Sequence, residues 1–355
     1  MKICLALFFG GESSEYEVSL ASAASVLRAL RPARYEILPV GITRDGHWLL
    51  SDPDPEKIRS DRWQSGALPV LLSPDKARPG LFIGHGADMR QVLPDLLLPI
   101  LHGGAGEDGR MQGLFSLSGI RFLGCNCESA ALCMNKALAK ALCERIGIPV
   151  LPAVTLTREK LAQPEHAADE AEAHIGYPAF VKPARAGSSL GAGRADNRSE
   201  LLLRLREAAE VDDCVLVEEC VRVREIELAV YERNSELCVA GPGEIRVRGG
   251  FYGYREKYRD TAAAELLSHP QLQPNTVEAL RSAAARIFRL LGCRGLARVD
   301  FFVCGDTERF FFNEINTLPG FTDISMFPRL AAEGSSLSDL LDLLIDEALR
   351  DDRRL

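Results

Sequence analysis

Two stretches near the C-terminus hold the residue types of a site that handles phosphate and metal. Arg298-Val299-Asp300-Phe301-Phe302 and Phe311-Phe312-Asn313-Glu314-Ile315-Asn316 each read as a strand, joined by a turn through Gly305-Asp306. Side chains alternate across a strand, so Arg298 and Asp300 share one face, and Glu314 and Asn316 share one face. If the two faces coincide, two carboxylates, an amide and a guanidinium converge. Such oxygen donors suit a hard cation like Mg2+, which takes one or two carboxylates together with phosphate oxygens. The alternative is a solvent-facing hairpin with a surface ion pair; the flanking phenylalanines favour a covered one.

Upstream, a strand carries Lys182 into Pro183-Ala184-Arg185-Ala186-Gly187-Ser188-Ser189-Leu190-Gly191. The N–H groups and hydroxyls of so small-sided a loop can close over phosphate oxygens, unless it is a plain flexible turn. No G-x-x-x-x-G-K-S/T occurs, and no G-x-G-x-x-G follows the first strand, which excludes the common P-loop and dinucleotide fingerprints. In Gly10-Gly11-Glu12-Ser13-Ser14-Glu15, Glu15 is either a catalytic carboxylate or a first-turn acid on a helix dipole. His102, opening a second glycine loop through Gly109, either holds a substrate carboxylate or is structural. Tyr252, Tyr254, Lys257 and Tyr258 crowd a Gly-flanked polar stretch that reads as a lid or as a loop stapled by its tyrosines.

The elements that must position these groups follow an α/β pattern. A strand over Ile3–Phe9, a helix over Val18–Leu30, a strand over Tyr35–Ile42 and a strand over Asp95–Leu101 alternate, as in a parallel sheet. Ligands of such sheets bind beyond the carboxyl ends of the strands, where both glycine loops fall. Residues 44–90 are loop-rich with short strand signals and read as an insertion. One helix is expected across Ser129–Ile146, ended by Gly147-Ile148-Pro149. Beyond it come a helix near Glu165–His174, the strand Ala179–Lys182, a helix over Ser199–Ala209 and a strand over Cys214–Glu218. A third region adds strands, a helix over Thr276–Leu291, two more strands and a last helix.

The 355 residues suggest two or three domains, and 46% apolar with 26% charged residues is the balance of a globular chain. A net charge of −8 argues against a general nucleic-acid partner. No run approaches the length of a membrane span, and Met1–Phe9 is too short for a signal peptide. The ten cysteines are scattered through apolar patterns, which fits free thiols in a reducing cytoplasm. The Cys125/Cys127 pair alone is weak evidence for zinc.

Taken in order, these segments resemble the D-alanine–D-alanine ligases, a family of the ATP-grasp superfamily. Its specific motifs are Gly10 to Glu15 with Glu17-Val18-Ser19, His102 to Gly109 with Gln112-Gly113, Lys182-Pro183 through Ser189, Glu256-Lys257-Tyr258, Arg298-Val299-Asp300, and Asn313 through Thr322. The resemblance implies an N-terminal Rossmann-like parallel-sheet domain (1–124), then a two-part ATP-grasp fold (125–218 and 219–355). It implies ATP-driven ligation of two D-alanines through an acyl phosphate, for peptidoglycan synthesis. Asp300, Glu314 and Asn316 would hold two Mg2+ ions, with Mn2+ as a substitute. Lys136 and Lys182 would meet the phosphates, Glu218, Val221 and Glu225 the nucleoside, and Lys257 would also bind ATP. Glu15, with Val18 and His102, would hold the first D-alanine, and Arg298 with the Gly320 N–H would form the oxyanion site. Ser188 and Tyr258 would join Glu15 in a hydrogen-bonded trio; Ser325 and Met326 would receive the second substrate. The resemblance also implies a cytoplasmic homodimer acting on small molecules.

The chain departs from the family pattern at Asn135, where an aspartate is usual, and at Val221-Arg222-Val223-Arg224, where a glycine precedes the ribose acid. Cys125 through Lys136 and Gly292 through Arg298 are similar to the vancomycin-resistance ligases, which take D-lactate or D-serine second. Retained Tyr258 argues for an amine nucleophile, and Met326 for an apolar second pocket. D-alanine–D-serine ligation is the enzymatic alternative. A nucleotide-binding homologue without activity is the alternative of a different class, and it would be expected to lose some of Lys182, Arg298, Asp300, Glu314 and Asn316, all of which are present.

Overall fold

The computed structural model describes residues 1–247, 264–322 and 324–350. Its first sheet comprises β1 (Ile3–Gly10), β2 (Tyr35–Ile42), β3 (Trp48–Leu50), β4 (Leu68–Leu72), β5 (Leu81–Ile83), β6 (Arg90–Val92) and β7 (Leu96–Leu101), in the order β6-β5-β4-β3-β2-β1-β7. β1 runs parallel to both β2 and β7. Leu5 through Phe9 are wholly buried, as a strand covered on both faces requires, hence the unbroken apolar run. Helix α1 (Tyr16–Ala29) follows β1; α2 (Pro55–Arg59) and α3 (Arg110–Ser118) complete this part. The stretch read as an insertion supplies β3 to β6, which pair antiparallel, so the sheet is mixed rather than parallel throughout. Connections as short as Thr43–His47 permit hairpins but no parallel crossover.

The expected helix over Ser129–Ile146 is two helices, α4 (Cys127–Met134) and α5 (Lys136–Arg145). Between them Asn135 leaves helical geometry at ψ 95° and caps α5, accepting from the Leu138 N–H at 3.2 Å. The break is made by a distant contact: the Lys136 N–H donates to the Ala184 carbonyl at 2.9 Å.

The second sheet is antiparallel, β10-β9-β11-β8, built from β8 (Ala153–Thr157), β9 (Ala179–Pro183), β10 (Gly193–Ala195) and β11 (Cys214–Glu219). With α6 (Arg158–Leu161), α7 (Pro164–His174) and α8 (Arg198–Val211) it encloses its own core around Leu156, Val181, Leu205 and Val217. The third sheet, β14-β13-β12-β15-β16, comprises β12 (Val223–Arg233), β13 (Glu236–Val247), β14 (Ala264–Leu267), β15 (Leu296–Cys304) and β16 (Phe310–Asn316). Helix α9 (Pro274–Leu290) turns Leu280, Ala284, Ile287 and Phe288 onto it, the apolar stripe of a 3.6-residue period.

Two last helices, α10 (Met326–Ala331) and α11 (Leu337–Arg350), bind the ends of the chain together. Phe327, Leu341, Leu344 and Ile345 lie in one core with Leu7, Phe9 and Leu20 from the first part and Ala229 and Leu296 from the third. All ten cysteines are free thiols. Among the described residues no helix is long and apolar enough to cross a membrane.

Candidate active site

The hairpin of β15 and β16 sets Arg298 opposite Asn316 and Asp300 opposite Glu314, so the four side chains share one face. The register slips only beyond Asp300, at the bulge before Phe301. On the other side of β15, Glu227 of β12 stands opposite Asp300. Three carboxylates therefore form one row across three neighbouring strands. Arg298, half-buried, donates a fork to Asp300 through Nε at 2.8 Å and Nη2 at 2.7 Å, and its Nε lies 3.2 Å from Glu227. Lys136 Nζ is 3.1 Å from Glu314 and donates to the Ala186 carbonyl at 2.7 Å. Charges this far from water persist only with partners, and each acid of the row has a cation beside it or one strand away.

Lys136 owes its place to the α4–α5 break, which starts a new helix at that residue and ties its backbone to Ala184. Lys182, near the end of β9, donates to Asn313 Oδ1 at 3.0 Å and pairs with Glu218 at 2.8 Å. Glu218, on β11, also pairs with Lys140 of α5. Burial pushes the Glu218 carboxyl up, but the two lysines outweigh it and hold the group down at about 2. Lys182, Glu218, Val221, Glu225, Asp300 and Glu314 line a cleft of about 200 Å³.

A second cavity of about 600 Å³ brings together Glu15, Val18, His102, Ser188, Arg298, Gly320, Ser325 and Met326. The two cavities adjoin: Lys136, Ser188, Glu227 and Glu314 line both. Glu15 is buried and accepts a hydrogen bond from the Ser188 hydroxyl. Ser188 and Ser189 adopt left-handed backbone at φ 48° and 59°, strain that the surrounding loop holds in place. A Cβ on Gly187 would come within 2.9 Å of a Glu15 carboxylate oxygen, so a larger residue there would push that carboxylate aside.

His102 is held neutral: burial lowers it, against the pull of Glu15. Its Nε2 lies 3.1 Å from the Ser22 hydroxyl, which also accepts from the Phe321 N–H at 3.2 Å and so ties His102 to the Gly320 loop. A Cβ on Gly320 would come within 2.7 Å of Ser325 Oγ, which accepts from the Thr322 N–H at 3.1 Å.

Three residues at the site escaped the reading from sequence. Glu107 accepts from the Gly103 N–H at 2.9 Å, while its Oε1 is buried without a hydrogen-bond partner among the described residues. Burial first, and Glu15 second, push it up to about 8. It sits inside the glycine motif after His102, which was the signal. Glu227 shares a strand face with Glu225 two residues earlier, so strict alternation points to it. Lys140 follows Lys136 by one helical turn. Lys257, Tyr258, Tyr252 and Tyr254 lie outside the described residues.

No three His, Cys, Asp or Glu side chains among the described residues converge closely enough to hold a metal unaided. The donors Asp300, Glu314 and Asn316 nonetheless fit an ion that completes its shell with phosphate oxygens, since all three are hard oxygen donors on one sheet face.

A cleft between two antiparallel sheets, backed by lysines and floored by carboxylates, is the ATP-grasp arrangement, and a Rossmann-like sheet precedes it. The family models described as D-ala D-ala ligase N-terminus and D-ala D-ala ligase C-terminus match residues 4–125 and 142–346. D-alanine–D-alanine ligases of Caldicellulosiruptor bescii and Acetivibrio thermocellus are 40% and 39% identical, covering 99% and 97% of this chain and 97% and 95% of theirs. Among solved structures, the VanG D-Ala:D-Ser ligase from Enterococcus faecalis aligns over 98% of this chain and all of its own, with a TM-score of 0.87 and 37% identity. The D-alanine-D-alanine ligase from Coxiella burnetii covers 99% of this chain and 95% of its own, at TM-score 0.82 and 31% identity. The chain belongs to the D-alanine–D-alanine ligase family.

Proposed function

We propose that this chain joins two D-alanines into D-alanyl-D-alanine at the expense of ATP, releasing ADP and phosphate, for peptidoglycan precursor synthesis in the cytoplasm. The observation that carries this reading is the junction of the two cavities, where Lys136, Ser188, Glu227 and Glu314 line both and Glu15 and Arg298 line the larger. A carboxylate acylates an amine poorly because oxide is a poor leaving group; phosphorylation removes that obstacle. The reaction needs a triphosphate beside an amino-acid pocket, a dry path between them, and a positive group where the oxyanion develops.

In this reading the smaller cleft takes ATP. Glu218, Val221 and Glu225 hold the nucleoside, and Lys136, Lys182 and Lys257 the phosphates. Asp300, Glu314 and Asn316 would hold two Mg2+ ions, with Mn2+ as a substitute, whose charge offsets that of the phosphates. Glu15 takes the ammonium of the first D-alanine, with Val18 and neutral His102 around its other end. Arg298 and the Gly320 N–H face the developing oxyanion. Ser325 and Met326 receive the second D-alanine, and Ser188 with Tyr258 carries the proton of its amine toward Glu15. A homodimer belongs to the same reading.

The similarity to a D-Ala:D-Ser ligase keeps D-serine as a second reading for the second pocket. Met326 is buried and apolar there, which suits a methyl group, though such a pocket rejects an added hydroxyl only about 10²-fold at best. Incubation with ATP, Mg2+ and equal D-alanine and D-serine, with products identified by mass, decides between them. D-alanyl-D-alanine is the expected main product; dominant D-alanyl-D-serine overturns the assignment of Met326.

A further inference from the structure

We propose that Lys140 is a positioning residue for nucleotide binding: its buried charge cancels that of Glu218, so that the Lys182 ammonium faces the cleft free to attract a polyanionic triphosphate. The proposal rests on reading that cleft as the ATP site.

Lys140 lines neither cavity. Its side chain is 5% exposed, that of Glu218 2% and that of Lys182 9%, so the three form a buried row that meets the cleft at Glu218 and Lys182, with Lys140 behind them. One Glu218 oxygen faces Lys140 and the other lies 2.8 Å from Lys182. The row carries two positive charges and one negative, leaving one positive charge at its open end. Lys182 spends two of its three N–H bonds on Glu218 and Asn313, and among the described residues the third has no protein partner and can serve a ligand. Burial pulls the Lys140 ammonium down to about 8 against the attraction of Glu218, so the charge is still present at neutral pH.

Without Lys140, Glu218 and Lys182 would make a closed neutral pair. A phosphate drawing on Lys182 would then strand a buried carboxylate, which is costly. With Lys140 in place, Glu218 keeps a partner whatever Lys182 does. The effect acts on the nucleotide alone, because neither D-alanine in the proposed scheme meets this row.

The test is steady-state kinetics of the full chain with ATP and D-alanine varied separately. Lys140→Met, close in shape but uncharged, should raise the KM for ATP about 10-fold or more and leave the KM for D-alanine within about twofold. In a Glu218→Gln background the same change should alter the KM for ATP by less than about twofold, because the charge it cancels is gone. That pair also decides the matter should Lys140→Met alone fail to fold: a large further rise in the ATP KM there overturns the proposal. An unchanged ATP KM in Lys140→Met, or equal rises for both substrates, overturns it while leaving the ATP reading intact. A wild-type chain that turns over no ATP overturns both.

Discussion

At the scale of single residues, the site is built from charges that answer one another before any ligand arrives. Arg298 sits on Asp300 and Lys136 on Glu314, so groups assigned to oxyanion and phosphate rest on the groups assigned to metal. This much was legible: alternation along two short strands placed Arg298, Asp300, Glu314 and Asn316 on common faces, and the register joined those faces. The glycine motif after His102 marked Glu107 as near the site, but its raised carboxyl was not legible, because nothing in the local sequence shows that Glu15 lies beside it across the fold. Its raised carboxyl carries a proton in the folded state that it would lose in the unfolded chain. The stability this contributes is complete below the unfolded value of about 4.5 and is lost as pH rises through about 8. Wild-type stability should therefore fall between about pH 4.5 and about 8 and level off above, and Glu107→Gln, which mimics the neutral acid, should flatten that fall. Thermal melting of both proteins across that pH window checks it; an identical decline in the variant removes Glu107 as the cause.

At the scale of elements, the instructive error is the helix expected over Ser129–Ile146. Met134-Asn135-Lys136 holds no Gly or Pro, and the tertiary hydrogen bond from the Lys136 N–H to Ala184 together with the Asn135 cap divides α4 from α5. That division aims Lys136 into the cleft. It also explains why Asn135 stands where an aspartate is usual: either side chain can accept from the N–H of Leu138 and cap α5. Asn135→Asp should leave activity within about twofold, whereas Asn135→Ala should cost about 1 kcal/mol of stability and raise the ATP KM. Denaturant unfolding alongside kinetics tests this, and an alanine variant indistinguishable from wild type contradicts it. The strand near Tyr35–Ile42 was legible because a largely apolar segment is bounded by turn residues on both sides. The antiparallel β3 to β6 were not, since their pairing partners are set by hairpin geometry rather than by composition.

At the scale of the whole molecule, the order of domains along the chain is not the order of cores. The last helix, α11, packs Leu341, Leu344 and Ile345 into the same core as Leu7 and Phe9 of β1, while the second sheet keeps a core of its own. Sequence reading divides the chain by composition and cannot see that its two ends meet. Leu344→Ala should therefore cost about 2–5 kcal/mol and lower the stability of the first and third parts together. Hydrogen exchange that shows β1 and β12 losing protection in step confirms that shared core; loss confined to α11 contradicts it.

The central claim is that the two adjoining cavities pass a phosphoryl group from ATP to the carboxylate of the first D-alanine before the second attacks. D-alanine labelled with ¹⁸O in its carboxylate, turned over with ATP and Mg2+, tests it most directly. One labelled oxygen should appear in the released phosphate for each dipeptide formed, carried there when the amine displaces the acyl phosphate. Dipeptide formed with unlabelled phosphate would contradict the account.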